Sequence, residues 1–240
     1  MKIVIMSDIH GNLNAYCAVL REINKIKPDK CILLGDIIDY GMRSNEVIQA
    51  LKNFPCEIVC SIWGNHENAI INGDFTRFSS ARGQKSAEFT KRNLSAESIV
   101  YLNSLSKTGK CEFILEDKKC LAVHGSLQDV FWKSIQPSDD LAGYSNYDYV
   151  FSGHSHLPHY FEKFYPCDDP SRRNKKKTVF VNSGSVGQPR NLNTFAQFAV
   201  LELESGNLEF KKVKYDISDE QSYFSDEVDE FYKIRLSEGV

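Results

Sequence analysis

Six histidines occur in the chain, and five of them stand in short polar clusters: DIHGN (8–12), GNHEN (64–68), VHG (123–125) and GHSH (153–156). Each cluster directly follows an apolar run that reads as a strand. A lone histidine at a strand end is usually structural; five in this arrangement form a pattern. Aspartates occupy equivalent places, Asp8 after the first run and Asp36 after the second, and Asn65 ends the third. The carboxyl edge of a parallel sheet is where α/β proteins gather ligands. Imidazole and oxygen donors without thiolate suit manganese, iron, nickel, cobalt or zinc rather than a structural zinc–cysteine site. Seven such donors are too many for one ion but suit two. A carboxylate can bridge ions roughly 3.5–4 Å apart, and such a pair can clamp both oxygens of a phosphoryl displacement.

The elements that would position these residues follow from periodicity. KIVIMS (2–7), KCILLG (30–35) and CEIVCSIW (56–63) read as buried strands. Between them, Leu13, Tyr16, Cys17, Leu20 and Ile23 have helical spacing up to Pro28, and Val47, Ile48 and Leu51 follow a candidate N-cap at Ser44. Strands alternating with helices of this length predict parallel pairing. Two helices are expected over 84–105, with Ser95 capping the second, and a short helix near 138–143. Strands are expected at 111–116, 119–125, 148–153, 159–165, 177–184, 195–204 and 207–215, the last two joined by a Ser205-Gly206-Asn207 turn. A C-terminal amphipathic helix is expected behind an N-cap at Ser225, with Val228, Phe231, Tyr232 and Leu236 on one face. No linker divides the chain, so 1–240 is expected to be a single domain.

With 240 residues, 42% of them hydrophobic, the chain can bury a sizeable core, and its formal net charge of −3 gives no sign of stable nucleic-acid binding. No apolar run approaches the roughly 18 residues a membrane span needs, and the N-terminus does not read as a signal peptide. Seven scattered cysteines without a CxxC pair read as reduced core residues and point to the cytoplasm. RRNKKK (172–177) reads as a solvated hairpin tip.

In order and separation, DIH, GDIID, GNHE, HG and GHSH resemble the calcineurin-like metallophosphoesterase superfamily, in particular its compact bacterial and archaeal members. GDIIDYGMRSNEVIQAL, VHGSLQDVFW and VNSGSVGQPRN look like additional signatures of it, and the resemblance runs from residue 1 to about 205. It implies a four-layer αββα sandwich, an α/β (α+β) fold with mixed sheets and a dimetal site at the sheet edge. It also implies two divalent ions, manganese first, with iron, nickel, cobalt or zinc accommodated. Asp8, His10 and His156 would hold one ion, Asn65, His124 and His154 the other, and Asp36 would bridge them. A metal-bridging hydroxide would attack. His66, counted with Asp36 and Asn65 as catalytic, would face the substrate, stabilising the phosphorane or protonating the leaving oxygen. Asp39 and Glu67 stand between orienting a ligand histidine and a solvated loop; Arg190 stands between a phosphate contact and an internal ion pair; His159 reads as structural or surface. Ser183 departs from the proline common in relatives, and 162–178 is longer than in compact members.

The implied function is a metal-dependent phosphodiesterase acting on small phosphodiester or nucleotide substrates, with dinucleoside polyphosphate hydrolysis as one specific case. A protein serine/threonine phosphatase and a non-catalytic metal-binding scaffold are the alternatives. Loops 72–84 and 162–178 are expected to contact substrate, and self-association is allowed.

Overall fold

A computed structural model of the chain describes residues 1–172 and 175–240. The first sheet contains strands β1 (Lys2–Met6), β2 (Lys30–Leu33), β3 (Glu57–Ser61), β9 (Ala196–Glu202) and β10 (Asn207–Val213), in the order β10-β9-β1-β2-β3. Strands β1, β2 and β3 are parallel, β1 meeting β2 with Ile3 opposite Lys30, and β9 and β10 add antiparallel partners. The second sheet contains β4 (Lys110–Leu115), β5 (Lys118–Val123), β6 (Tyr149–Ser152), β7 (His159–Phe164) and β8 (Lys177–Asn182), in the order β4-β5-β6-β8-β7. Its parallel centre is β5-β6-β8, flanked by antiparallel β4 and β7.

Burial on both faces explains the near-continuous apolar runs of the central strands. In β1, Ile3 and Ile5 point to the inter-sheet core with Ile32, Cys60, Ala122, Phe151 and Val181, while Val4 and Met6 point to the opposite face. There they meet Tyr16, Val19 and Ile23 of α1 (Leu13–Ile26) and Val47, Ile48 and Leu51 of α2 (Ser44–Leu51). The outer face of the second sheet is covered by Ile135, Leu141 and Tyr144, the last in a short 3-10 turn, Ala142–Tyr144. Among the described residues no helix is long and apolar enough to cross a membrane.

Local signals set most boundaries. Asn12 accepts a hydrogen bond from the Ala15 amide and starts α1, which ends in left-handed Lys27 just before Pro28. Helices α4 (Ala81–Asn93) and α5 (Ala96–Ser104) fill the stretch expected to hold two helices, and Ser95 caps α5 as expected. Four expectations are corrected. Ser44 is the first residue of α2 rather than its cap, because its hydroxyl is taken by the Asp39 amide. The helix expected at 138–143 is the 3-10 turn above. Ser225 caps nothing helical; the tail forms two helices, α6 (Ile217–Ser222) and α7 (Glu230–Glu238), capped by Asp216 and Asp229. Lastly, Asn65, expected only to end the third strand, opens a helix that was not expected, α3 (Asn65–Asn72). The hairpin tip expected over 172–177 lies partly outside the described residues, at Arg173 and Asn174. Cys31, Cys60 and Cys120 are buried free thiols.

Phe151 is fully buried between the sheets and stacks against Tyr149 and Phe113, with ring centroids 5.9 and 6.4 Å away. Phe151→Ala is expected to cost about 3–5 kcal/mol, read as a lower midpoint in urea denaturation with an unchanged slope.

Candidate metal centre

The strand ends bring all seven expected ligand residues together. Asp8, His10, Asp36 and His156 form one group and Asp36, His124 and His154 a second, with Asp36 common to both; within each group the candidate ligand atoms lie within 4.8 Å of one another. Asn65 completes the second group, its Oδ1 being 3.0 Å from both His124 Nε2 and His154 Nδ1. Asp8 and His10 follow β1, Asp36 follows β2, Asn65 opens α3, His124 follows β5, and His154 and His156 follow β6.

Hydrogen bonds behind the ligands fix which nitrogen each histidine presents. The Nδ1 atoms of His10, His124 and His156 lie 3.1, 2.7 and 2.6 Å from the backbone carbonyls of Ile38, Leu34 and Gln188. A carbonyl only accepts, so each Nδ1 carries its hydrogen and each ring turns its Nε2 inward, where it offers a lone pair once the ring is neutral. His10 Nε2 and His156 Nε2 then face each other at 3.2 Å. The Asp8 Oδ1 atom is buried without a hydrogen-bond partner and lies 3.2 Å from His156 Nε2. Converging lone pairs and an orphaned buried carboxylate oxygen are unfavourable alone and satisfied by a cation. The donor set therefore fits divalent metal.

Electrostatics agree. Burial opposes ionisation of Asp8 and Asp36, yet His156 holds the first and His124 and His66 the second below the usual carboxylate range. Burial lowers His10, His156 and His154, the last to about 4, which keeps their lone pairs free. His124 differs: burial disfavours its charge, but the Asp36 carboxylate lifts its pKa to about 9. A metal ion entering there displaces that proton.

Five ligand residues, Asp8, His10, Asp36, His154 and His156, have positive φ between 49° and 65°. Left-handed backbone costs a non-glycine residue about 1–3 kcal/mol and is tolerated where surrounding structure dictates it. Glu67 is part of that structure. It is fully buried and accepts from the amides of Asp36 (2.8 Å), Ile37 (2.8 Å), Ile38 (3.2 Å) and Gly64 (2.8 Å). It is neither solvated nor bonded to a ligand histidine; it grips the backbone. Gly64 lies so close that a Cβ there would strike the Asp36 carboxylate.

Asp39 is equally buried and serves His66: its Oδ2 lies 2.7 Å from His66 Nδ1, while its Oδ1 accepts from Ser86 (2.7 Å) and Thr90 (2.9 Å) of α4. Burial works against a charged His66, but Asp36 and Asp39 raise its pKa. His66 lines a cavity of about 240 Å³ together with Asp36, His154, His156 and Arg190. Tyr40, Phe78 and Trp132 form its aromatic walls, and Arg77, Ser79 and Ser80 come from the 72–84 segment expected to contact substrate. Among the described residues, none of 162–178 lines it. Arg190 lines the cavity, and among the described residues no carboxylate pairs with it. His159 is half-buried at the start of β7, away from the ligands, and burial lowers its pKa to about 4. Surface depressions of about 270 and 310 Å³ beside Met1 and α7 gather no histidines.

The family model described as the calcineurin-like phosphoesterase superfamily domain matches residues 1–206. A metallophosphoesterase crystal structure from Sphaerobacter thermophilus is 30% identical, with a TM-score of 0.79 over 100% of both chains. An uncharacterized protein of Methanocaldococcus jannaschii is 29% identical over 90% of this chain and 88% of its own length. A structure described as a novel archaeal phosphodiesterase covers 89% of this chain and 100% of its own, with a TM-score of 0.54 at 20% identity, a likeness of fold alone.

Two outcomes test the cradle. Adding manganese to chelated protein at about 100 times its Kd should stabilise it by about 2.7 kcal/mol, a rise in Tm that Asp36→Asn removes. Glu67→Gln, which disturbs the grip on the loop amides, should weaken metal binding by about 10–100-fold, measured by titration calorimetry.

Proposed function

The chain belongs to the calcineurin-like phosphoesterase superfamily, and from that premise we propose that it is a metal-dependent phosphodiesterase for small phosphodiester or nucleotide substrates. The observation that carries this reading is the buried His66–Asp39 pair, held at 2.7 Å in the wall of a cavity that also exposes the shared carboxylate, Asp36.

In this reading Asp8, His10 and His156 hold one divalent ion and Asn65, His124 and His154 a second, with Asp36 shared between them. Manganese suits these oxygen and nitrogen donors, as do iron, cobalt, nickel and zinc. Such ions supply Lewis acidity toward a phosphoryl oxygen and make water more acidic. The side chains do the rest. Asp39 accepts from His66 Nδ1 and fixes the ring, leaving Nε2 as the proton-bearing atom for the leaving oxygen. The Asp39 and Asp36 carboxylates favour the imidazolium that this role needs. The His66 amide donates to Asp36 Oδ1 at 2.9 Å, so the acid and the shared ligand keep a fixed spacing. Tyr40, Phe78 and Trp132 offer apolar faces to a substrate's base or aryl group.

The aromatic-walled cavity of about 240 Å³ favours a small substrate over a phosphoprotein. The full ligand set and the oriented histidine favour an enzyme over a scaffold. Hydrolysis of a dinucleoside polyphosphate is the specific case we favour.

With bis(4-nitrophenyl) phosphate and manganese, His66→Ala should lower kcat by about 10²–10⁴-fold at unchanged metal content. Asp39→Asn should lower it at least about tenfold, because the ring loses its orientation. Activity in His66→Ala within threefold of the parent would sink the assignment. 4-Nitrophenyl phosphate run in parallel reads the preference between diester and monoester.

A further inference from the structure

Building on the phosphoesterase reading of the cavity, we infer that Arg190 is its anion contact: the guanidinium binds a non-bridging oxygen of the substrate's phosphate group.

The cavity wall contains two arginines, and their surroundings differ. Arg77 is half exposed and bonded to Asp129 at 2.6 Å, so the protein itself supplies its counter-charge. Arg190, in the loop between β8 and β9, lines the wall with His154 and His156. Its Nε is buried with no hydrogen-bond partner, and among the described residues no carboxylate pairs with it. A guanidinium carries five donors and cannot shed its charge. Left half-buried and unmatched, it is costly until an anion meets it. The carboxylate in the same wall, Asp36, is the shared candidate ligand and is committed to the ions.

The backbone beneath Arg190 is fixed on both sides. Upstream, the amides of Val186 and Gly187 donate to the carbonyls of Ser7 and Asp8, both at 3.0 Å, and the Ser185 hydroxyl donates to the Asp8 carbonyl at 2.7 Å. Gly187 lies so close to this turn that a Cβ there would strike the Ile9 carbonyl. Gln188, two residues before Arg190, accepts from His156 Nδ1 at 2.6 Å. Downstream, the Leu192 amide donates to the carbonyl of Gly239, at the end of α7, at 2.9 Å. The stretch that carries Arg190 is thus tied to the turn bearing Asp8 and His10 and to the C-terminal helix. A cation on so firmly held a backbone gives up little freedom on meeting its partner. Phosphate oxygens match its fork in geometry and charge. A neutral ligand would leave that charge unmatched.

Arg190 and His66 then act on different oxygens. His66 meets the oxygen that leaves, whereas Arg190 meets oxygens that stay on phosphorus. Those oxygens persist in free phosphate, so the contact can be read without turnover.

The test is calorimetric titration of the manganese-loaded full chain with inorganic phosphate. The parent should bind it, and Arg190→Gln should bind it at least about tenfold more weakly at unchanged manganese content. Arg190→Lys, which keeps the charge but loses the fork, should fall between them. Thermal melting checks that both variants are folded. In parallel, kcat/KM for bis(4-nitrophenyl) phosphate should fall at least about tenfold in Arg190→Gln. The contact is overturned by any of four results: no phosphate binding by the parent, equal binding by the parent and Arg190→Gln, Arg190→Lys binding no better than Arg190→Gln, or loss of manganese in Arg190→Gln. Binding that weakens as expected, in a parent that hydrolyses neither bis(4-nitrophenyl) phosphate nor 4-nitrophenyl phosphate, keeps the contact and overturns the phosphoesterase reading instead.

Discussion

One carboxylate holds the centre together. Glu67 collects the amides of Asp36, Ile37, Ile38 and Gly64, and so ties the turn after β2 to the first turn of α3. Those two segments carry Asp36, Asn65, His66 and, at the far end of the turn, Asp39. Without that bond, four amides would be left buried and unpaired, and each such group costs about 1–3 kcal/mol. The geometry of the shared ligand, the second group's amide oxygen and the candidate acid therefore rests on one residue that touches neither cavity nor candidate ion. Burial raises the Glu67 pKa, with the nearby Asp36 carboxylate adding to it, while the amides work the other way. Its place beside Asp36 is tolerable because so many donors converge on it.

The rest of the site shows the same division between groups that bind and groups that aim. Backbone carbonyls of Leu34, Ile38 and Gln188 set the tautomers of three histidines. Asp39 sets His66 and is itself set by Ser86 and Thr90 of α4. Five candidate ligand residues are left-handed, a backbone that aspartate and histidine adopt more readily than most side chains but that still costs energy. Only neighbouring strands of two packed sheets, fixed in register, can impose that backbone at so many points at once.

This division also explains what could be read in the sequence. The candidate ligands were legible as a group because strand ends mark themselves by an abrupt change from apolar to polar, while their division between two ions came from the family resemblance. Strands and the α1 and α5 caps followed from periodicity and side-chain chemistry. The aiming groups were not legible. Asp39 and Glu67 resemble any acidic residue in a turn until Ser86, Thr90 and the loop amides are brought to them across 30 to 50 residues of chain. α3 was missed because its start, Gly64 with Glu67 three positions on, uses glycine as the cap, which the apolar run before it disguised. The boundary misplaced at Ser225 arose because a serine followed by acidic residues signals a cap equally well in either of two turns.

The C-terminal layer alters how the cavity should be viewed. Tyr232 of α7 stacks on Tyr40 at 4.4 Å with the planes 19° apart, and Tyr40 in turn packs on His10 and His66 at 4.7 and 4.4 Å. An aromatic column therefore runs from a helix outside the family match to the candidate acid and a candidate ligand. Glu220 of α6, paired with Arg43 and accepting from the Asn14 amide, anchors the same layer to the first sheet's helices. Breaking a buried ion pair of this kind strands a charge, so the layer cannot drift freely from the body. The two sheets position the candidate ligands, while the appended helices back the cavity from behind, through the stacking of Tyr232 on its lining residue Tyr40. The residues that line the cavity lie within the stretch that matches the family model, so the appended helices act on the site through the residues they pack against rather than by entering it.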